Sequence, residues 1–228
     1  MRIRFITAGS LREFRAQYEK EHNFCKADGE KELALFGFGC LGEVSYEKEL
    51  KGETTDFEDV ALFSKESKAL AVCGCITDTR GHKRKSALVA ENGRLQGVSD
   101  MLHAVDGEVS SGAALRVYDT KLGRMGVAVA EDLYFPDVVK SLAICGSDFI
   151  VCPFGKVYDS LQNTMLRAYA YCYGVPIFFC GNGYAMIADT MGNIAFASPH
   201  SPISFDFENK REYHLIETRR RGFYSPSL

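Results

Sequence analysis

Two kinds of hydrophobic pattern alternate along the chain. Short apolar runs recur at residues 32–39 (Glu-Leu-Ala-Leu-Phe-Gly-Phe-Gly), 70–76, 148–152 and 175–180. Runs of this length, bounded by glycine or polar turns, predict strands buried on both faces. Between them lie stretches with helical spacing. Ser10-Leu11-Arg12-Glu13 has the form of a capping box, and Leu11, Phe14 and Tyr18 follow at helical intervals, which predicts a first helix to about Phe24. A second helix starts at Asp56 and carries Phe57, Val60, Ala61 and Ser64 on one face. Pro136 and Asp137 open a third, closed by Gly146. Leu161, Met165, Tyr169 and Cys172 mark the face of a fourth, ended by Gly174 and Pro176.

Residues 115–119 and 125–130, joined by a turn at 120–123, predict a β-hairpin. Residues 184–188 and 194–197, with turns at Gly181-Asn182-Gly183 and Met191-Gly192-Asn193, complete the strand content. Residues 77–112 are polar and charge-rich and read as a long loop, a kind of segment that often carries function in compact domains. Strands of both patterns between paired helices predict an α/β fold of two sheets buried face to face, each covered by helices. No linker rich in Pro, Gly or Ser interrupts the pattern, so residues 1–228 read as one domain.

Composition narrows the function classes. Apolar residues at 46% and charged residues at 25% exclude a disordered or coiled-coil chain. Lys and Arg number 27 against 30 Asp and Glu, so no basic excess recommends a nucleic acid or an anionic membrane as partner. No apolar run approaches the ~18 residues of a bilayer span. The basic start of the chain lacks the apolar segment of a secretory signal, because Arg12, Glu13 and Arg15 follow almost at once. The eight cysteines lie mostly in apolar company, as in Ala71-Val72-Cys73-Gly74-Cys75-Ile76. There is no Cys-x-x-Cys, and Cys73/Cys75 lack a second pair at zinc spacing. These features read as a reduced, cytoplasmic protein, with neither a metal nor a cofactor expected.

The stretch from residue 123 to 153 carries the most specific signal. Gly126-Val127-Ala128-Val129-Ala130-Glu131-Asp132-Leu133-Tyr134-Phe135-Pro136-Asp137 resembles the nucleophile segment of the nitrilase (carbon–nitrogen hydrolase) superfamily. In that family a hydrophobic strand delivers a cysteine, an acid follows two positions later, and Phe-Pro-Glu opens a helix. The continuation to Pro153, Arg167-Ala168, Asn182 and the turn from Asp189 to Gly192 are also similar to family members. So are Arg84-Lys85-Ser86-Ala87-Leu88, which resembles the loop carrying the family's lysine, and a tail from Arg219 to Tyr224. The resemblance implies an α-β-β-α sandwich that dimerises into an α-β-β-α-α-β-β-α arrangement, or a higher homo-oligomer.

It also implies a chemistry, and here the chain departs from it. The family uses a cysteine nucleophile, a glutamate base and a lysine. A thiol attacks a carbon–nitrogen centre only once deprotonated, and the tetrahedral intermediate needs a cation such as an ammonium to hold its charge. The nucleophile position falls on Ala130, whose methyl group does neither job. The pattern of residues 32–38 puts the general base at Phe38, or at Gly37 after a one-residue shift. A change at both positions argues against a single engineered replacement. Of the three positions, only Lys85 keeps its chemistry.

The resemblance therefore implies a nitrilase-fold protein without conventional thiol catalysis, serving as a ligand-binding or scaffold homologue for a small anionic or amide-containing molecule. The alternative is a divergent amide hydrolase with a rearranged site using Glu131, Glu43 or a relocated cysteine. A third reading is an oligomer whose former pocket is filled by Phe38. Several residues carry two readings each. Lys85 is an anion-binding charge, or part of a solvated basic run with His82, Lys83 and Arg84. Asp132 bonds the backbone of the turn before Pro136, while Glu131 pairs with Lys85. Glu108, ahead of Ser110-Ser111-Gly112, resembles a second family glutamate, and Asn182 is a pocket candidate. Cys145 and Cys152 read as packing residues. The arginines from 219 to 221 are either a basic tail or a dimer contact.

Overall fold

A computed structural model describes residues 1–20, 31–105, 107–156 and 159–208. In chain order the first half runs β1 (Arg2–Ile6), α1 (Leu11–Lys20), β2 (Glu32–Phe36), β3 (Glu43–Ser45), α2 (Tyr46–Lys51), α3 (Asp56–Glu66), β4 (Leu70–Thr79), β5 (His82–Glu91) and β6 (Arg94–Asp100). The second half runs β7 (Val117–Thr120), β8 (Gly123–Val127), a 3-10 turn (Ala130–Tyr134), α4 (Pro136–Ile144), β9 (Phe149–Lys156), α5 (Asp159–Tyr173), β10 (Ile177–Asn182), β11 (Tyr184–Ala188), β12 (Ile194–Ser198) and β13 (Ile203–Asp206). One sheet has the order β13-β1-β2-β4-β5-β6, with β3 also pairing β4. The other has the order β12-β11-β10-β9-β8-β7. Each has a parallel centre, β1-β2-β4 in one and β8-β9-β10 in the other, flanked by antiparallel pairs.

Alternation along each strand assigns every side chain to a layer. Ile3 and Phe5, Leu33 and Leu35, Leu70 and Val72, and Ala87 and Val89 leave the first sheet toward the second. They meet Met125 and Val127, Phe149 and Val151, Phe178 and Cys180, and Ala185 and Ile187 from the opposite side. The alternate residues of β2, β4, β9 and β10 face outward instead. Ala34, Phe36, Ala71 and Cys73 pack under α1 and α3 with Phe14, Val60 and Phe63. Ile150, Cys152, Phe154 and Phe179 pack under α4 and α5 with Val138, Leu142, Leu166 and Ala170. The result is the expected α-β-β-α sandwich. Burying both sheet faces explains why the central strands read as continuous apolar runs.

Two expectations are corrected. Residues 77–112 are not one long loop: β4 runs on to Thr79, turns at Arg80 and Gly81, and returns as β5 and β6 in a meander. The charges misled because the far half of this hairpin, from Asp78 to Arg84, extends past the core, while Ser86 to Glu91 is buried. In α5 the buried face is Gln162, Leu166, Tyr169 and Ala170, one position off the expected stripe, with Leu161 and Cys172 exposed. Gln162 takes a core position because its Nε2 donates to the Tyr134 hydroxyl at 2.7 Å, which satisfies the buried amide. The first helix reaches Lys20; its expected last turn lies outside the described residues, as do Cys25 and the tail from 219 to 224.

One close approach seats the segment after β2 on its neighbour β4. A Cβ on Gly74 of β4 would sit 2.7 Å from the Phe38 Cα, which the backbone cannot yield to cheaply. The Gly74 carbonyl also accepts the Gly39 N–H at 3.1 Å. Gly155 has open space where its Cβ would be. Gly74→Ala is therefore expected to lower unfolding free energy by about 1–3 kcal/mol in urea titrations, with Gly155→Ala changing it by less than about 1 kcal/mol.

Candidate functional site

Strand β8 ends at Val127, and two further residues carry the chain into the 3-10 turn that begins at Ala130. Ala130 has φ +50, in the left-handed region that costs a non-glycine residue about 1–2 kcal/mol. The turn is held on both sides. The Ala128 N–H donates to the Val151 carbonyl at 3.0 Å, the Asp132 N–H to Val129 at 3.1 Å, and the Phe135 N–H to Asp132 at 3.1 Å. Ala130 is 2% exposed and belongs to the inter-sheet core. The residue that the sequence aligns with a nucleophile is thus one of the backbone-strained positions, with Lys68, Arg80 and Asn92, and the side chain it presents is a methyl group.

Lys85 shares strand parity with Ala87 and Val89 and so faces the second sheet, unlike a lysine of a solvated run. Its Nζ donates to Glu131 Oε1 at 2.8 Å, and both side chains are mostly buried. The other oxygen, Glu131 Oε2, is buried with no hydrogen-bond partner among the described residues. The expected Lys85–Glu131 pairing is present. Glu43 goes elsewhere: it lies across β4 from Lys85, through Ile76, and accepts a 2.6 Å bond from Lys83 at the exposed end of the hairpin. Glu108 is exposed, on the connection between β6 and β7.

Asp132 is completely buried, and its carboxylate serves the backbone, though not of its own turn as expected. Its Oδ2 accepts the Leu102 N–H at 2.8 Å and its Oδ1 the His103 N–H at 3.0 Å, tying the exit of β6 to the elbow. Burial pushes Asp132 above the ordinary carboxylate range, against the lowering effect of these hydrogen bonds. His103 completes the junction. Its ring stacks on Phe135 at 4.1 Å and lies 3.4 Å from Asp132 Oδ1 and 3.5 Å from Asp137 Oδ2. Sequence reading missed His103 because it fell in the segment taken for a loop; a histidine three residues past a strand gives no periodic signal.

Phe38 is half-buried against the inter-sheet core, and its N–H donates to the Phe154 carbonyl at 2.7 Å. It also borders an open cleft of about 420 Å³ formed by residues 6–10, 37–40 and 182–183. Asn182 lies in this cleft beside Phe38, while Lys85, Ala130 and Glu131 are not part of its lining. The predicted site residues therefore fall into two groups: Lys85, Glu131 and Ala130 with Asp132 behind them, and Phe38 with Asn182 at the cleft.

The cysteines of the central strands are placed for packing. Cys152 faces the helices and Cys180 the inter-sheet core, where its Sγ donates to the Leu35 and Ile6 carbonyls at 3.3 and 3.6 Å. Burial pushes Cys73, Cys75, Cys152 and Cys180 upward, which keeps each as a thiol. Cys145 is exposed at the end of α4, so it is not a packing residue as expected. Among the described residues no group of three or more His, Cys, Asp or Glu is placed to hold a metal ion.

With this geometry established, comparison with known proteins is decisive at the level of family. The family model for carbon–nitrogen hydrolases matches residues 32–203, more than half of the chain. The chain belongs to the carbon–nitrogen hydrolase family. Probable nitrilase C965.09 of Schizosaccharomyces pombe is 24% identical over 156 residues, covering 62% of this chain and 56% of that protein. The chain thus spans a little over half the length of this curated relative. Among solved structures, Nit3 of Saccharomyces cerevisiae, a member of branch 10 of the nitrilase superfamily, superposes with a TM-score of 0.75 at 16% identity, over 100% of this chain and 95% of that one. A carbon–nitrogen hydrolase from Helicobacter pylori G27 gives 0.73 at 14% identity, over 98% and 93%. An amidase from Nesterenkonia sp. gives 0.73 at 14% identity, over 97% and 96%. At these identities the structural likeness speaks to the fold.

Within this family fold, Arg167 on α5 closes the turn from Asp189 to Gly192, donating from Nε to the Gly192 carbonyl at 2.7 Å. Two weak sequence signals thus meet in one contact.

Asp132→Asn replaces one acceptor oxygen by a donor facing a backbone N–H, and should cost about 1–3 kcal/mol at neutral pH. The sign of the pH dependence follows from burial. Asp132 is raised in the folded state, so the folded chain holds that proton more tightly than the unfolded one. Its contribution to stability is fully present below the ordinary carboxylate range and declines as pH rises through the folded-state value. Urea midpoints measured against pH are expected to show this decline in the wild type and not in Asp132→Asn.

Proposed function

We propose that this carbon–nitrogen hydrolase-family protein has lost the family's thiol catalysis and acts as a ligand-binding or scaffold component, with residues 1–228 forming one family-like unit. One observation carries the reading: the strained position at the end of β8 holds Ala130, and the nearest ammonium, Lys85, is engaged by Glu131 at 2.8 Å. A methyl group forms no covalent intermediate. Pairing with a carboxylate offsets part of the charge that the ammonium would bring to a developing oxyanion. Phe38, at the position aligned with the base, brings no proton acceptor. For scale, removing the nucleophile in another hydrolase family costs about a millionfold in turnover.

A second reading rests on the same pair. Glu131 Oε2 is buried without a partner among the described residues, and a carboxylate so placed is a candidate base for a water molecule. Turnover of a panel of aliphatic amides and nitriles, followed by mass spectrometry, separates the two. The wild type and Ala130→Cys are expected to stay at background, with hydrolysis emerging only when Phe38→Glu is added to Ala130→Cys. Turnover by the wild type that Glu131→Gln abolishes would establish the second reading instead. Ready turnover by Ala130→Cys alone would show that a working base persists.

A homodimer is part of the proposal, formed by the outer face of α4 and α5. There Ile144, Leu161 and Tyr171 are exposed apolar side chains on adjacent helices. Leu161→Lys together with Tyr171→Glu is expected to halve the mass measured by light scattering, with an unchanged circular dichroism spectrum. A reducing, cytoplasmic setting is consistent with the free thiols at Cys73, Cys75, Cys152 and Cys180. No helix among the described residues is long and apolar enough to cross a membrane.

A further inference from the structure

The cleft beside Phe38 has a chemistry of its own. At about 420 Å³ it falls within the range of small-molecule sites. Its lining holds no charged side chain. Glycines at 39 and 183 have open space where a Cβ would be, which leaves backbone open to a ligand, and Phe38 supplies an apolar wall. Two neutral polar groups stand ready. Thr7 lines the cleft and is 2% exposed, yet its hydroxyl has no hydrogen-bond partner among the described residues. Native proteins seldom bury such a group without a partner. The Asn182 carboxamide, its oxygen 3.2 Å from where a Gly37 Cβ would lie, offers a donor and an acceptor side by side.

An anion has no place here. The start of α1 borders the cleft at Ser10, but its positive end is already served by Glu13, whose Oε2 accepts the Ser10 N–H at 2.9 Å. Those hydrogen bonds hold Glu13 below the usual carboxylate range, so it is ionised and repels a second negative charge. Gly9 lies against the same oxygen, 3.3 Å from where its Cβ would be.

We infer that the cleft formed by residues 6–10, 37–40 and 182–183 binds a small, flat, uncharged molecule with adjacent donor and acceptor groups, such as an aryl carboxamide. The ring would stack on Phe38, and the polar edge would pair with Asn182 and Thr7. This deepens the binding half of the proposed function and is independent of its catalytic half, since turnover assays decide one and binding measurements the other. It also turns the expected ligand away from anions, because Lys85 does not line the cleft.

The test compares nicotinamide with nicotinate, which differ in little but charge, by titration into the 15N-labelled protein. Saturable shifts of the Gly39 and Gly183 amides are expected with nicotinamide, and at least ~tenfold weaker binding with nicotinate. Ala8→Trp, which fills the cleft from an exposed position, and Asn182→Leu are each expected to weaken nicotinamide by about tenfold or more, leaving amide signals elsewhere in place. Equal binding of the two compounds, no shifts at millimolar nicotinamide, shifts confined to Ala130 and Glu131, or unchanged affinity in both variants would each overturn the inference.

Discussion

The whole molecule depends on two sheets burying their inner faces against each other. Strand periodicity is two, so once Leu33 and Leu35 or Phe149 and Val151 are committed to the inter-sheet layer, their sequence neighbours are committed to the helices. A slip of one residue in β5 would swap Lys85 with Ser86 and bring an ammonium under the α3 layer. The same rule that builds the core therefore aims Lys85 at the second sheet, into the reach of the turn at the end of β8. Cys180 and Cys152, on strands of that second sheet, are sorted to opposite faces by the same rule.

At the elbow, packing sustains a conformation that Ala130 would not choose alone. About 1–2 kcal/mol of backbone cost is set against three backbone hydrogen bonds and burial in the common core. Asp132 anchors the other side by accepting two N–H groups from the β6 exit. The turn is held as if something chemically demanding stood there. What stands there is a methyl group, with an ion pair between Lys85 and Glu131 across from it. A pair of this kind, partly shielded from water, is stable while both members remain and costly to leave half-made.

Much of this was legible before any coordinates. The capping box at Ser10, the proline at Pro136 and the glycines past the helices placed the helices, because these residues act through local backbone geometry. The apolar runs placed β2, β4, β9 and β10, because burial of both sheet faces selects apolar side chains along a whole strand. Strand β4 was read as far as Ile76, but β5 and β6 were missed because the polar tip of the hairpin obscured a period of two, and the buried face of α5 was misplaced because Gln162 is apolar in position and polar in kind. His103 and the cleft at Thr7 had no sequence signal at all.

By itself, then, the chain determined its layers, its family likeness and the absence of sulfur at residue 130, since each is a matter of residue type and local spacing. Only tertiary structure decided which acid meets Lys85, that Glu43 serves Lys83, that Asp132 is spent on the backbone, and that Phe38 borders a neutral cleft. Those contacts join residues at least 29 positions apart along the chain. Spacing along a strand says which way a side chain points, and says nothing about what waits on the facing sheet.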